Sequence, residues 1–232
     1  MRLVLLPGLN GSSHLFRPLL DELDGIPIEV LELPAEGPQD YDSLAATLHR
    51  QLGEEPFVLL GESFSGAIAY RIALQQPPGL RGVIFAASFL SRPSALLPLI
   101  QYLPIPRPLS TLSAALKIFC VGRDASDELL QQLKQEIRLI PDALLRARLQ
   151  SLAELRAPQQ RLALPALHLW PQQDRLVSHQ VASQLAGPCS DLQQVRIEGP
   201  HFILQTQAAV CAHAIRGFMA ELQDGDQALG QR

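Results

Sequence analysis

Ser63 stands in Gly61-Glu-Ser-Phe-Ser-Gly66, directly after the apolar run Phe57-Val-Leu-Leu60. A serine hydroxyl is a weak nucleophile. It does chemistry only when it is pushed clear of the fold and set beside a base. The stretch meets the first condition. It reads as a short buried strand, Phe57 to Leu60, a tight turn with Ser63 at its apex, and a helix from near Phe64 carrying Ala67, Ile68, Ala69 and Ile72. So sharp a turn holds its apex residue in a strained backbone and needs small residues two before and two after it. Gly61 fills the first place. The second holds Ser65, with Gly66 just beyond, and the β-carbon of Ser65 makes the turn tighter than glycine would. The pattern is nearly the nucleophile elbow G-x-S-x-G, and the chemistry on offer is attack by Ser63 on an acyl carbonyl.

This elbow resembles that of the α/β-hydrolase superfamily, whose triad runs Ser, then Asp or Glu, then His along the chain. Two later stretches fit that order. Pro165-Ala-Leu-His-Leu-Trp-Pro171 matches the family's Pro-x-Leu-x-Leu strand, and the loop after it holds Asp174 before Leu176 and Val177. Val195-Arg-Ile-Glu-Gly-Pro-His201 matches the last strand and the histidine loop. The resemblance therefore implies Asp174 as the acid and His201 as the base. It also identifies Arg2-Leu-Val-Leu-Leu-Pro7 and Gly8-Leu-Asn-Gly11 as the oxyanion strand and loop, with the backbone N–H groups of Leu9 and Phe64 as donors. Pro7 stands where the family usually has histidine. The chain begins at this strand, so the family's first two strands are expected to be missing.

Around these residues, apolar strand patterns alternate with helical ones. Leu15, Leu19 and Leu23 share one helical face, and Ile28 to Leu33 reads as a strand stopped by Pro34. Leu44, Leu48 and Leu52 mark a helix over 41–52. Arg81 to Ser88 is another strand, and Leu192 to Glu198 the last one. The alternation predicts an α/β fold: a mostly parallel sheet with helices on both faces. From Ser91 the pattern changes. Residues 91–113 hold five prolines and many leucines without clear periodicity, and two helical segments follow, 126–140 and 141–156. The resembling family inserts a helical cap here, between the serine half and the Asp/His half. The expected organisation is a hydrolase core of residues 1–90 and 162–232 with an inserted cap of residues 91–161. The last helix is expected within 202–222, with a frayed polar tail at 223–232.

Composition bounds the rest. The chain has 232 residues, 47% hydrophobic and 18% charged, which suits one globular domain with a sizeable core. A formal net charge of −4 argues against nucleic acid as a partner. No apolar run reaches the roughly 20 residues of a membrane span. The apolar stretch Leu3 to Leu6 is too short for a signal peptide, so the expected location is cytoplasmic. Cys120, Cys189 and Cys211 show no metal-ligand spacing, and three thiols make a poor disulfide framework. Neither a metal site nor a cofactor is expected. Of the other histidines, His168 inside an apolar strand reads as buried and hydrogen-bonded, whereas His14, His49, His179 and His213 read as loop or surface residues. Glu62 is placed to orient the elbow.

The expected function is hydrolysis of a carboxylic ester or thioester through Ser63, His201 and Asp174 and an acyl-enzyme. Relatives that are dehalogenases or epoxide hydrolases need an aspartate nucleophile, and this chain has Ser63. Residues 91–161 carry 8 Arg and 2 Lys against 6 acidic residues, a net of +4 in an otherwise acidic chain. A positive cap would steer an anionic substrate, such as a coenzyme A thioester or an acyl group on an acidic carrier protein. Local pairing of those arginines with Glu136, Asp142 and Glu154 is the alternative. Two other functions stay open: acyl transfer with the same triad, and a non-catalytic binding protein on the hydrolase fold. The substrate-binding residues are not legible in the sequence.

Overall fold

Strands buried on both faces must be apolar at nearly every position, and the runs named above meet that requirement. In the computed structural model, which describes residues 1–93 and 112–230 (side chains through 225), they form one six-stranded sheet. The strands are β1 (Arg2–Leu6), β2 (Ile28–Val30), β3 (Phe57–Glu62), β4 (Leu80–Ala86), β5 (Ala166–Pro171) and β6 (Leu192–Ile197). Their order is β2-β1-β3-β4-β5-β6, and every pairing is parallel.

Side-chain alternation sends successive strand residues to opposite faces. Val4, Leu6, Phe57, Leu59, Val83 and Phe85 pack with α2 (Tyr41–His49) and α3 (Gly66–Leu74). Leu3, Leu5, Val58, Leu60, Ile84, Leu167 and Leu169 pack on the other face, with α1 (Arg17–Glu22) and the C-terminal helix. The helices on both faces that the alternation predicts are thus present. Among the described residues between β4 and β5 lie the helices α4 (Ser113–Leu116), α5 (Asp127–Leu139) and α6 (Asp142–Glu154). The segment Lys117–Val121 continues α4 as a π-helical turn. Ser126 caps α5 as expected, its hydroxyl accepting from the N–H of Leu129. Most of the proline-rich stretch, residues 94–111, lies outside the described residues.

After β5 come α7 (His179–Ser183), then β6, α8 (Ile203–Thr206) and α9 (Ala208–Gly230). The helix α9 continues through most of the tail expected to fray. No helix among the described residues is long and apolar enough to cross a membrane.

The strand order reverses between β1 and β3: the chain moves outward to β2, then back past β1. Such a switch point opens a crevice beyond the carboxyl ends of the two strands. The loop after β1 and the elbow after β3 both open there.

Candidate active site

Ser63 has φ 48°, the left-handed region that a residue with a β-carbon enters only at a cost. The elbow enforces it through two close approaches. A β-carbon on Gly61 would lie 2.5 Å from the carbonyl oxygen of Ser65, and one on Gly66 would lie 1.7 Å from Ser88 Oγ. Ser88 in turn donates to the carbonyl of Ser63 at 2.8 Å. Ser65 causes no such collision, because the near approach falls on Gly66. Its hydroxyl points at the neighbouring loop instead and donates to the carbonyl of Pro7. The two departures from the family pattern are therefore bonded to each other.

The three residues singled out by order along the chain meet in space. His201 Nε2 lies 2.8 Å from Ser63 Oγ, and His201 Nδ1 lies 2.7 Å from Asp174 Oδ2. The imidazole and the carboxylate are both buried. The other oxygen of Asp174 accepts from the backbone N–H groups of Leu176 (2.8 Å) and Val177 (2.9 Å), which fixes the carboxylate plane. With Nδ1–H donated to Asp174, Nε2 is left to accept the serine proton.

Glu62, just before the nucleophile, is buried. Burial pushes its carboxyl up, opposed by the hydrogen bond from Gln205, the charge of His201 and the N–H of Gly8. Its Oε1 accepts from Gln205 Nε2 at 2.8 Å, and its Oε2 accepts from Gly8 N at 3.2 Å. Glu62 thus holds the loop after β1 from beneath, beside orienting the elbow.

The inserted helices hold the same loop from above. Glu136 of α5 accepts from Asn10 Nδ2 (3.3 Å), from His14 Nδ1 (2.9 Å) and from the hydroxyl of Ser12. Arg148 of α6 donates to the carbonyls of Leu9 (2.8 Å) and Pro34 (3.1 Å) and to Gln39 Oε1 (3.0 Å). A second contact reaches the histidine loop, where Phe202 N donates to the carbonyl of Cys120 at 3.1 Å. Sequence pattern alone does not single out Arg148 and Glu136 as holders of the site. Arg148 does leave a mark: a charge between Leu145, Leu149 and Leu152 on the apolar stripe of α6.

The remaining expectations divide. His14 is largely exposed, and His49 and His213 lie on helix surfaces, as expected. His168 is buried as expected but not hydrogen-bonded. Neither ring nitrogen has a partner among the described residues, and the ring stacks on Trp170 with centroids 5.4 Å apart. The strand backbone around it is committed to β4 and β6, which leaves the imidazole only ring faces to meet. Burial pushes the thiols of Cys120, Cys189 and Cys211 up to about 12, so none is a ready nucleophile near neutrality. No group of metal-ligating side chains occurs among the described residues. Glu136 serves the loop and Glu154 accepts from Gln150, and among the described residues neither forms the local arginine pair that the sequence allowed.

Known proteins share this architecture. A thermophilic esterase superposes with a TM-score of 0.79 at 14% identity, over 95% of this chain and 90% of that one. The type II thioesterase YbtT of the yersiniabactin NRPS/PKS pathway gives 0.70 at 22% identity, over 95% and 93%. The thioesterase RedJ of the prodiginine pathway in Streptomyces coelicolor gives 0.68 at 19%, over 92% and 84%. At these identities the likeness is one of fold. In sequence, the polyketide synthase ThaQ of Burkholderia thailandensis is 37% identical over 94 residues, which span 36% of this chain and 4% of that protein. The family model described as "Alpha/beta hydrolase family" matches residues 3–214, a span running from the first strand through the elbow into the final helix. With that match over most of its length and a parallel sheet that turns at a serine elbow, the chain belongs to the alpha/beta hydrolase family.

Proposed function

We propose that the protein is a serine hydrolase that cleaves an acyl thioester or ester through Ser63, His201 and Asp174, beneath a cap formed by residues 91–161. Ser63 Oγ attacks the acyl carbonyl while its proton passes to His201 Nε2. The tetrahedral oxyanion is stabilised by the N–H groups of Leu9 and Phe64. Its collapse expels the thiol or alcohol, which takes the proton from His201 and leaves an acyl-serine. Water then attacks the ester, giving its proton to His201, and the carboxylic acid departs as Ser63 is restored. Asp174 holds the imidazole in one tautomer and balances its charge in each half-reaction.

The observation that carries the reading is the unbroken chain Ser63 Oγ, His201 Nε2, His201 Nδ1, Asp174 Oδ2, with spacings of 2.8 and 2.7 Å behind a strained serine. For the substrate, the names of the similar thioesterases and the positive charge of residues 91–161 favour a thioester carried by an anionic partner. An acidic acyl carrier protein fits that description.

Labelling of Ser63 by a fluorophosphonate probe tests the mechanism. The wild type is expected to label and to turn over an acyl-ester and acyl-thioester panel. Ser63→Ala is expected to stay folded and inactive, and His201→Ala to lose labelling. Turnover retained by Ser63→Ala sinks the assignment, and a folded wild type that neither labels nor turns over points to a binding protein instead.

A further inference from the structure

Arg148 is 1% exposed yet has no carboxylate beside it among the described residues. A buried cation without a counter-ion is costly and persists only where its hydrogen bonds are well made. All of its described partners are neutral: the carbonyls of Leu9 and Pro34 and the side chain of Gln39. Desolvation pulls the guanidinium down to about 10, which still leaves it protonated near neutrality. The receiving loop is shaped for it. Gly11 has φ 78°, and a β-carbon there would lie 2.4 Å from Arg148 Nη1, so any side chain at that position would evict the guanidinium.

What the guanidinium holds is next to a reacting position. The proposed oxyanion donor, the N–H of Leu9, belongs to the peptide joining Gly8 to Leu9. On one side of that peptide, Gly8 N is bonded to Glu62. On the other side, the carbonyl of Leu9 is bonded to Arg148. With both flanking groups held, rotation of the peptide between them is restricted. Glu62 belongs to the elbow and Arg148 to the inserted helix α6, so the two anchors come from opposite sides of the cleft. The loop is further tied to α5 by Glu136.

We infer that Arg148 is a positioning residue: it reaches from the inserted helices to set the Gly8–Leu9 peptide, so that the oxyanion donor is aimed only while those helices are docked. An oxyanion donor acts on the transition state more than on the bound substrate. Loss of the anchor must then appear in kcat with little change in KM. A guanidinium that merely glues two elements together would lower thermal stability and leave kcat alone. This inference rests on the serine-hydrolase reading above.

The test uses the full chain and p-nitrophenyl butyrate, with folding checked by near-UV circular dichroism. Arg148→Lys keeps the charge and most of the stem but loses the planar fork. Its kcat is expected to fall about 10- to 100-fold with KM within about threefold, since loss of a whole oxyanion donor costs about 100- to 1,000-fold. Arg148→Ala should be partly rescued in kcat by millimolar methylguanidinium. Gln39→Ala removes the acceptor at the Nε end, together with the bonds of Gln39 Nε2 to the carbonyls of Pro34 and Gly37, while leaving Arg148 bonded to Leu9, and should shift kcat in the same direction by a smaller factor; it decides the matter where the Arg148 variants do not fold. Folded variants that melt earlier yet keep wild-type kcat overturn the inference, as does a loss confined to KM. The two readings fail differently. An inactive wild type with unlabelled Ser63 removes both, whereas an active wild type, a dead Ser63→Ala and full kcat in folded Arg148→Lys and Gln39→Ala remove only the role of Arg148.

Discussion

Ser65 Oγ donates to the carbonyl of Pro7, joining the elbow after β3 to the end of β1 across the cleft. Each residue alone departs from its family's pattern, and together they form a buried contact in which neither polar group is wasted. Ser65→Gly would bring the elbow nearer the family consensus but leave that carbonyl unpaired. A buried acceptor stranded in this way costs about 1–3 kcal/mol. We expect Ser65→Gly and Ser65→Ala both to lower stability by roughly that amount in urea unfolding and to lower kcat as the loop loosens. A more stable Ser65→Gly would mean that the contact contributes nothing.

Asp174 accepts three hydrogen bonds, one from His201 and two from backbone N–H groups. An asparagine there would keep the shape but offer His201 an amide that can favour the wrong tautomer. By analogy with other serine triads, kcat for Asp174→Asn should fall by about 10⁴ with the fold retained. Ester hydrolysis near the wild-type rate in a folded Asp174→Asn sample would remove Asp174 from the mechanism.

Gly66 faces Ser88 so closely that a methyl group has no room, at 1.7 Å from the hydroxyl and 2.6 Å from its β-carbon. Ser88 carries the hydrogen bond to the Ser63 carbonyl, so anything that displaces it disturbs the strained apex. Gly66→Ala should therefore cost more than the few tenths of a kcal/mol that separate good helix formers, about 1–3 kcal/mol by overpacking, and reduce fluorophosphonate labelling. Combining it with Ser88→Gly should restore part of the stability but not the labelling. Unchanged melting and labelling in Gly66→Ala would contradict the steric account.

His168 is expected to make the fold acid-sensitive. Burial lowers its pKa from 6.5 to about 4, so between those values the unfolded chain binds a proton that the folded chain does not. Stability then falls as pH is lowered through that window, by up to about 3 kcal/mol if the group acts alone. His168→Phe preserves a stacking ring beside Trp170 and has no proton to bind. Its denaturant midpoint is expected to drop less between pH 6.5 and 4 than that of the wild type. Parallel pH profiles for the two proteins would exclude His168 as the source.

Arg146 and Arg156 are exposed on and beside α6, and neither has an ion pair among the described residues. If the substrate arrives on an acidic carrier, Arg146→Glu and Arg156→Glu should raise KM for a carrier-bound acyl thioester and flatten its salt dependence. Hydrolysis of p-nitrophenyl butyrate should be unaffected. Equal effects on both substrates would remove the carrier from the proposal.

Much of this protein is written in local pattern. Phe57 to Leu60 followed by Gly61-x-Ser63 announces a strand and an elbow within ten residues, because burial on both faces demands an apolar run and a strained apex demands small neighbours. Asp174 and His201 are marked by their order along the chain and by the strands before them. The layout of six strands and their helices follows from alternating periodicity. Harder to read are the pairings of polar groups across the fold. Ser63 meets His201 from 138 residues away, Ser65 meets Pro7 from 58, and Leu9 meets Arg148 from 139. Periodicity tells which face of a helix is buried, but it does not say which carbonyl a polar residue within that face will find. In sequence, Arg148 is therefore one basic residue among several, and His168 looks like a bonded one. The sequence alone determined the elements, the elbow and the order of the candidate triad. Tertiary structure decided what anchors the loop after β1, because Glu62, Glu136 and Arg148 reach it only once β3 and the helices between β4 and β5 have packed beside it.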